Sequence, residues 1–504
     1  MAANQIIMAV VMFVYLAFMV IIGVVYSKKG NKSVSDFYLG GRKLGPLVSA
    51  MSAEASDMSS WLLMGLPGVA YFTGVADAAW TAIGLAMGTY FNWLLVAKRL
   101  RVYSEEIEAI TVPSFFSKRF GDSNNMLSCI AAIIIVIFFI PYTASGFAAV
   151  GKLFNSLFGF DYMTCMLVGA AVIILYTILG GFLAVSTTDL IQSVIMTIAL
   201  FIILGFGVSL AGGWGSVSAV TSEMPGYISL TNMFNVATGE SSPYGIITII
   251  STMAWGLGYF GMPHILLRFM GAKNPKQIKT SRRIASIWVV ISMGIAIVIG
   301  IVGFAASKAG AIITFDSSSA AESVIVKIAD VLSNHGILAV IIAGLVLSGI
   351  LASTMSTADS QLLSASPSIS EDIISGVFKF KLSTKATMWI ARISVIAIAI
   401  IAVIFARDPN SSVFAIVSFA WAGFGATFAP VMLCALFWKR CNKWGALAGM
   451  ISGAIVIFVW KYMIRPIGGA WNIYALLPAF IVALIFIIVV SLPTGKPDKE
   501  VADT

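Results

Sequence analysis

The sequence predicts an all-α protein that crosses a membrane many times. Three observations carry this. The 504 residues are 59% hydrophobic and only 11% charged, whereas roughly a quarter of a soluble chain is charged. Apolar runs of about 20 residues, enough to span a bilayer at 1.5 Å rise per residue, recur from end to end. Two of these runs, five apart in order, are interrupted by polar or helix-breaking residues.

Hydropathy delimits thirteen spans, at about 6–26, 47–71, 77–97, 125–150, 160–180, 187–211, 243–268, 284–307, 335–363, 386–406, 411–437, 443–463 and 471–491. The first follows MAANQ, which has no basic side chain. It lacks the charged start of a cleaved signal peptide and is expected to stay as a span. The longest stretches between spans lie near 99–124, 212–242 and 308–334. They are too short for a soluble domain, so residues 1–504 are expected to form one membrane domain.

Basic residues set the expected orientation. Clusters follow the odd-numbered spans: Lys28, Lys29, Lys32, Arg42 and Lys43; Lys98, Arg99, Arg101, Lys118 and Arg119; a group from Arg268 to Arg283. Further clusters are Lys379, Lys381, Lys385 and Arg392, then Lys439, Arg440 and Lys443, then Lys496 and Lys499. Of 31 lysines and arginines, only Lys152, Lys308, Lys327, Arg407, Lys461 and Arg465 fall on the other side. The positive-inside rule then puts the N-terminus outside and the C-terminus in the cytoplasm. The net charge of +9 is thereby explained without nucleic acid.

The second span holds AEASDMSSW (53–61), with Glu54, Asp57 and serines at 49, 52, 56, 59 and 60. Asp189 and Asp359 lie within or at the edges of other spans. An ionisable group in a span costs roughly 2.5–3.5 kcal/mol on insertion scales. It faces a cavity, an ion path or a partner, unless it reaches water at a helix end. In the ninth span Ser353, Ser356, Thr357, Ser360 and Ser364 fall on one helical face. Such hydroxyls either glue helices together or coordinate a hard cation. The seventh span reads AWGLGYFGMPHILLRF, with Gly256, Gly258, Gly261 and Pro263 close together. Glycine weakens a helix by about 1 kcal/mol and proline by about 3, so a break is expected. Trp255 and Tyr259, four apart, share a face beside it. Five is an odd repeat length, so spans two to six (about 47–211) and seven to eleven (about 243–437) are predicted to be inverted copies. Spans 6–26, 443–463 and 471–491 are then additions to a core of ten.

With these features read, the stretches YLGGRKLGP (38–46), SAEASDMSSWLLMGLPG (52–68), GGFLAVSTTDLIQ (180–192), WGLGYFGMPHILLRFM (255–270) and MSTADSQLL (355–363) resemble the sodium/solute symporter family, and within it the sodium/proline symporter branch. The resemblance implies a LeuT-type fold of 5+5 core helices and sodium-driven import of L-proline by alternating access. It implies sodium ligation by the carbonyls of Ala55, Met58 and Ser353 and the hydroxyls of Ser356 and Thr357. Asp57 matches the acid that governs sodium affinity, and Asp189 an acid that in some relatives helps hold a second sodium. Tyr142, Trp255, Tyr259 and Pro263 match the substrate site, and Arg42 an arginine at the cytoplasmic entry. Three residues depart from the pattern: Ser60 stands where glycine is usual, Glu54 where some relatives have a small or neutral residue, and Ser353 for alanine.

The same resemblance implies a multi-pass protein of a bacterial inner membrane whose partners are sodium, proline and lipid. No organic cofactor, nucleic acid or obligatory protein partner is expected. Another small solute (a different amino acid, a sugar, sialic acid, pantothenate) stays open as cargo, as does a nutrient sensor. The tail SLPTGKPDKEVADT gives a sensor no signalling domain. An enzyme is not expected. His264 and His335 are the only histidines, Cys129, Cys165, Cys434 and Cys441 show no paired metal spacing, and P-loop, HExxH and GxSxG motifs are absent.

Overall fold

The computed structural model describes residues 2–30, 34–380 and 383–495. Lys32, Lys381, Lys496 and Lys499 of the basic clusters lie outside them. The main helices are α1 (Ala3–Gly30), α2 (Pro46–Ser60), α3 (Leu66–Thr73), α4 (Val75–Phe91), α5 (Met126–Phe158), α6 (Tyr162–Leu210) and α7 (Ile246–Met253). They continue with α8 (Pro263–Met270), α9 (Ile278–Lys308), α10 (Ile337–Pro367), α11 (Thr384–Phe405), α12 (Val413–Phe437), α13 (Lys443–Val459) and α14 (Leu476–Ser491).

Local chemistry sets many of their ends. Pro46 and Pro263 occupy the first turns of α2 and α8, where a missing N–H costs nothing. Asp161, Ser412 and Asn442 cap α6, α12 and α13 by accepting from backbone amides three residues on. Pro141 and Pro430 sit inside α5 and α12, as spans shielded by neighbours tolerate.

Among the described residues, eight helices are long and apolar enough to cross a membrane. A ninth arises when α7, the following 3-10 segment Ala254–Gly261 and α8, bent by 46°, count as one span. The other four expected spans fall on pieces rather than long helices. Span 47–71 is α2 and α3 joined by a wide turn, and 77–97 runs through α4 into another such turn. Span 160–180 is the first part of α6, which breaks at Gly181 (φ 70°, ψ 174°) before running on as the already counted span 187–211, and 471–491 shortens to α14.

The polarity is that of a protein in lipid. Phe13, Val168, Trp389 and Ile485 are exposed, while Glu54, Asp57, Asp189, Asp359 and the Ser353–Ser364 hydroxyls are buried. With lipid outside, polar groups gather where protein can satisfy them. A hairpin of β1 (Asn232–Asn235) and β2 (Glu240–Pro243) and short helices at Ser318–Ala321 and Val324–Leu332 lie between spans.

Two contacts position the site. α2 packs on α6 and α10. α4 meets the 3-10 segment backbone to backbone. A Cβ on Gly256 would stand 2.1 Å from the Gly84 carbonyl, and one on Gly88 2.3 Å from that of Gly256.

Candidate functional site

The polar dent of the second span is a break of one residue. Ser59 has φ 48° and ψ −171° within an otherwise helical run, a conformation that costs a non-glycine residue about 1–3 kcal/mol. Its hydroxyl accepts from the Trp61 amide at 3.0 Å, which holds the break. A wide π-type turn, Trp61–Gly65, follows.

Opposite the break, α10 presents its hydroxyl face. Ser356 Oγ donates to the Ala55 carbonyl at 2.8 Å, and Thr357 Oγ1 lies 3.4 Å from the same oxygen. Both hydroxyls also lie 3.2 Å from the Ser353 carbonyl. Ser353's own hydroxyl turns back to Ile350 at 2.8 Å, so its backbone oxygen is what faces the pair. Four of the five oxygens expected to bind an ion therefore converge. The Met58 carbonyl instead accepts the Trp61 amide. This cluster of neutral oxygens, beside a buried carboxylate, has the chemistry of a hard monovalent cation site.

Next to it Asp57, Met58, Trp61, Leu85, Tyr142, Trp255, Val417 and Trp421 line a narrow cavity of about 10 Å³. The Tyr259 hydroxyl donates to the Asp57 carboxylate, and the Tyr142 hydroxyl donates to the Asp57 carbonyl at 3.1 Å. Trp421 Nε1 donates to the Trp255 carbonyl at 2.7 Å, and its ring meets Tyr259 edge-on at 5.1 Å. Tyr142 and Trp255 line the cavity, and Tyr259 stands behind that lining against Asp57 and Trp421. Pro263 is buried at the start of α8 and does not line the cavity.

Phe414 packs against two of the lining rings, 5.9 Å from Trp61 and 5.3 Å from Trp255. A largely buried ion pair holds the start of α12, where Phe414 sits. Lys152 Nζ meets Glu322 at 2.8 Å, and Glu322 accepts from the amides of Val413 and Phe414, both at 3.1 Å.

The remaining site residues have defined partners. Glu54 accepts from Trp93 Nε1 at 2.9 Å. Asp189 faces Arg268 Nη2 at 3.2 Å, both wholly buried. Arg268 is therefore not one of the loop cations among which the sequence reading placed it. Arg42 binds the carbonyls of Met270, Ser104 and Ala109 at 2.6–2.9 Å, tying three segments together. Partial burial, then nearby Arg101, lower its guanidinium to about 10, still cationic at neutral pH. His264 packs 5.7 Å from Phe139 and 6.2 Å from Tyr142. Among the described residues, no group of three metal-ligating side chains forms.

Comparison with known proteins decides the family. The profile of the sodium:solute symporter family matches residues 37–453. The chain belongs to this family. A sodium/proline symporter of Haemophilus influenzae is 43% identical over 494 residues, covering 97% of this chain and 95% of the relative. The high-affinity proline transporter PutP of Bacillus subtilis is 41% identical, covering 95% and 96%. A Na+-coupled sialic acid symporter in a substrate-bound outward-open state superposes with TM-score 0.77 at 19% identity, covering 97% of this chain and 98% of that one. MhsT with L-phenylalanine superposes at 0.52 and 13% identity, covering 88% and 98%. The fold is of the LeuT type, within a multi-pass membrane protein.

Sequence reasoning missed Trp61, Leu85, Phe414, Val417 and Trp421. Each is an apolar residue in a chain rich in them, so only three-dimensional position distinguishes them: four line the cavity with Asp57, and Phe414 packs on two of its rings.

Proposed function

We propose that this protein is a sodium-coupled symporter that imports L-proline by alternating access. Relatives at 41–43% identity over nearly the whole chain are named a sodium/proline symporter and a high-affinity proline transporter. The observation that carries the reading is the convergence of Ser356, Thr357 and the Ser353 carbonyl on Ala55 O, beside the break at Ser59. Sodium is cargo here. Set among these oxygens, with Met58 O as a fifth ligand, it would clamp α2 to α10. Asp57 serves as an electrostatic anchor. Its carbonyl and carboxylate hold Tyr142 and Tyr259, so the ion's field and the aromatic walls are linked through one residue.

Proline, a zwitterion with an apolar ring, suits the lining of the adjoining cavity, which has to widen to admit it. Its ring packs on Trp255, Tyr259 and Trp421. Its carboxylate meets amides just after the Ser59 break, where the following helical turn presents its positive end. Pro263 contributes by starting α8 after the 3-10 segment. Ion binding favours the conformation in which these walls are ordered, and coupling follows from that difference in affinity. Spans at about 47–211 and 243–437 act as the inverted repeats, with the N-terminus outside, the C-terminus in the cytoplasm and Arg42 bracing the cytoplasmic mouth. The protein binds and releases its cargo and catalyses no bond change.

Uptake of labelled proline into proteoliposomes tests this. An inward sodium gradient drives accumulation. A membrane potential of about 100 mV and a tenfold gradient together supply about 3.7 kcal/mol, a ceiling of several hundredfold. Uptake indifferent to sodium refutes the coupling. Stronger competition by another amino acid, a sugar or pantothenate refutes the cargo.

A further inference from the structure

The helix Ala97–Glu106 continues α4 past the wide turn at Asn92–Val96. The outer surface of this run changes character over about one turn. Leu94 and Leu95, each 40% exposed, are followed four residues on by the exposed Lys98 and Arg99. That is the order a chain meets on leaving lipid, acyl chains first and headgroups next. The end of α12 stands opposite. Arg99 lies over the Phe437 ring at 4.4 Å and donates to the Leu436 carbonyl at 3.5 Å. Arg119, from the helix Val112–Arg119, donates through Nε to the Ala435 carbonyl at 2.8 Å.

Between these elements runs a groove of about 640 Å³. Lys98, Arg99, Arg119 and Lys439 line it, and Glu106 is the one acid among its lining residues. Four cations thus face one carboxylate. Among the described residues, Lys98 and Lys439 form no ion pair. The same groove is walled by Leu94, Leu95 and Phe437, all exposed where lipid lies. The positive-inside rule accounts for basic residues on this face. It does not account for their gathering around a groove with apolar walls. An occupant has to carry negative charge at one end and an apolar chain at the other. Basic pockets between spans take up phospholipid headgroups on the same grounds.

We propose that this groove binds an anionic phospholipid, its phosphate among Lys98, Arg99 and Lys439 and an acyl chain along Leu94, Leu95 and Phe437. The elements it joins run on into the walls of the cargo cavity, through Leu85 on α4 and Val417 and Trp421 on α12. The lipid is a clamp between the other ends of two helices that shape that cavity. The leaflet is the cytoplasmic one in the orientation proposed above. The binding itself depends neither on that orientation nor on the cargo.

Native mass spectrometry of the purified, delipidated protein tests this, with phosphatidylglycerol or phosphatidylcholine of the same chains titrated into the detergent. The wild type is expected to retain phosphatidylglycerol in preference to phosphatidylcholine and to gain thermal stability from it. Lys98→Gln with Lys439→Gln should weaken that retention about 30-fold, near fivefold for each lysine lost. Lys276→Gln with Lys279→Gln removes the same charge from exposed positions outside the groove and should leave retention unchanged. Equal retention of both lipids by the wild type overturns the inference. So does an equal loss in the two double variants, which marks a general attraction to a basic face. Stabilisation by inorganic phosphate equal to that by phosphatidylglycerol also overturns it, since the acyl chain then has no part. Should a variant fail to fold, the wild-type comparison decides alone.

Discussion

Thr357→Val is the sharpest perturbation of the ion site. It removes the hydroxyl, keeps the branched shape, and so leaves the buried packing of α10 almost unchanged. The lost oxygen lies 3.4 Å from Ala55 O and 3.2 Å from Ser353 O, close enough for one cation to touch all three. A hydroxyl facing a charge contributes about 1.5–3 kcal/mol. Half-saturating sodium should therefore rise about 10- to 150-fold, at 1.4 kcal/mol per tenfold. Ser356, at 2.8 Å from Ala55 O, stays in place, so the lower half of that range is expected. The assay is initial proline uptake in proteoliposomes across a sodium series, with surface expression and thermal stability measured on the same preparations. Thr357→Ser restores the hydroxyl and should return the wild-type sodium dependence. A half-saturating sodium concentration within about twofold of wild type, in a stable Thr357→Val protein, would refute the assignment of this oxygen to the ion.

Two further outcomes follow from the cavity and the ion pair at the start of α12. Gly258→Ala places a Cβ 1.9 Å from Trp421 Nε1 and should weaken proline binding at least about tenfold. Gly245→Ala meets nothing within 4 Å and should leave it unchanged; equal effects would remove Trp421 from the substrate wall. Lys152→Met removes the cation from Glu322, which keeps the Ser412 hydroxyl and the Val413 and Phe414 amides, so a loss of about 1–3 kcal/mol of stability is expected. A thermal-stability cycle with Glu322→Gln should show that the pair is coupled, and strict additivity would refute the anchoring role.

The helical class was legible because lipid imposes it: apolar length, basic asymmetry and the location of polar dents are all one-dimensional signals. The break near Ser59 was visible because buried serines and acids have no business in lipid. The break at Ala254–Gly261 was visible because glycine and proline announce it. The α10 hydroxyl face was legible from spacing, but not which of its members serve the ion. Ser364 bonds to its own helix, at Ser360 O, 2.7 Å away, while Ser356 bonds across to α2. Arg268 was misplaced because an arginine near the end of a span reads as a cytoplasmic anchor until its carboxylate partner, 79 residues away in sequence, is located. Trp421 and Phe414 were invisible for the opposite reason, since aromatic residues in an apolar span carry no positional signal. The expected span ends also missed that α6 runs through Gly181 with one kink, because hydropathy registers polarity and not backbone continuity.

The glycine seam between α4 and the 3-10 segment has a consequence for how such a protein can change over generations. Gly84, Gly88 and Gly256 touch main chain to main chain, so any side chain there forces the two elements apart. Leu85, the very next residue to Gly84, lines the cavity, as does Val417 on another helix, and neither takes part in the seam. Drift at these two positions resizes the chamber while the joint keeps its fit. Inherited variation is thus channelled toward a new cargo and away from a new machine.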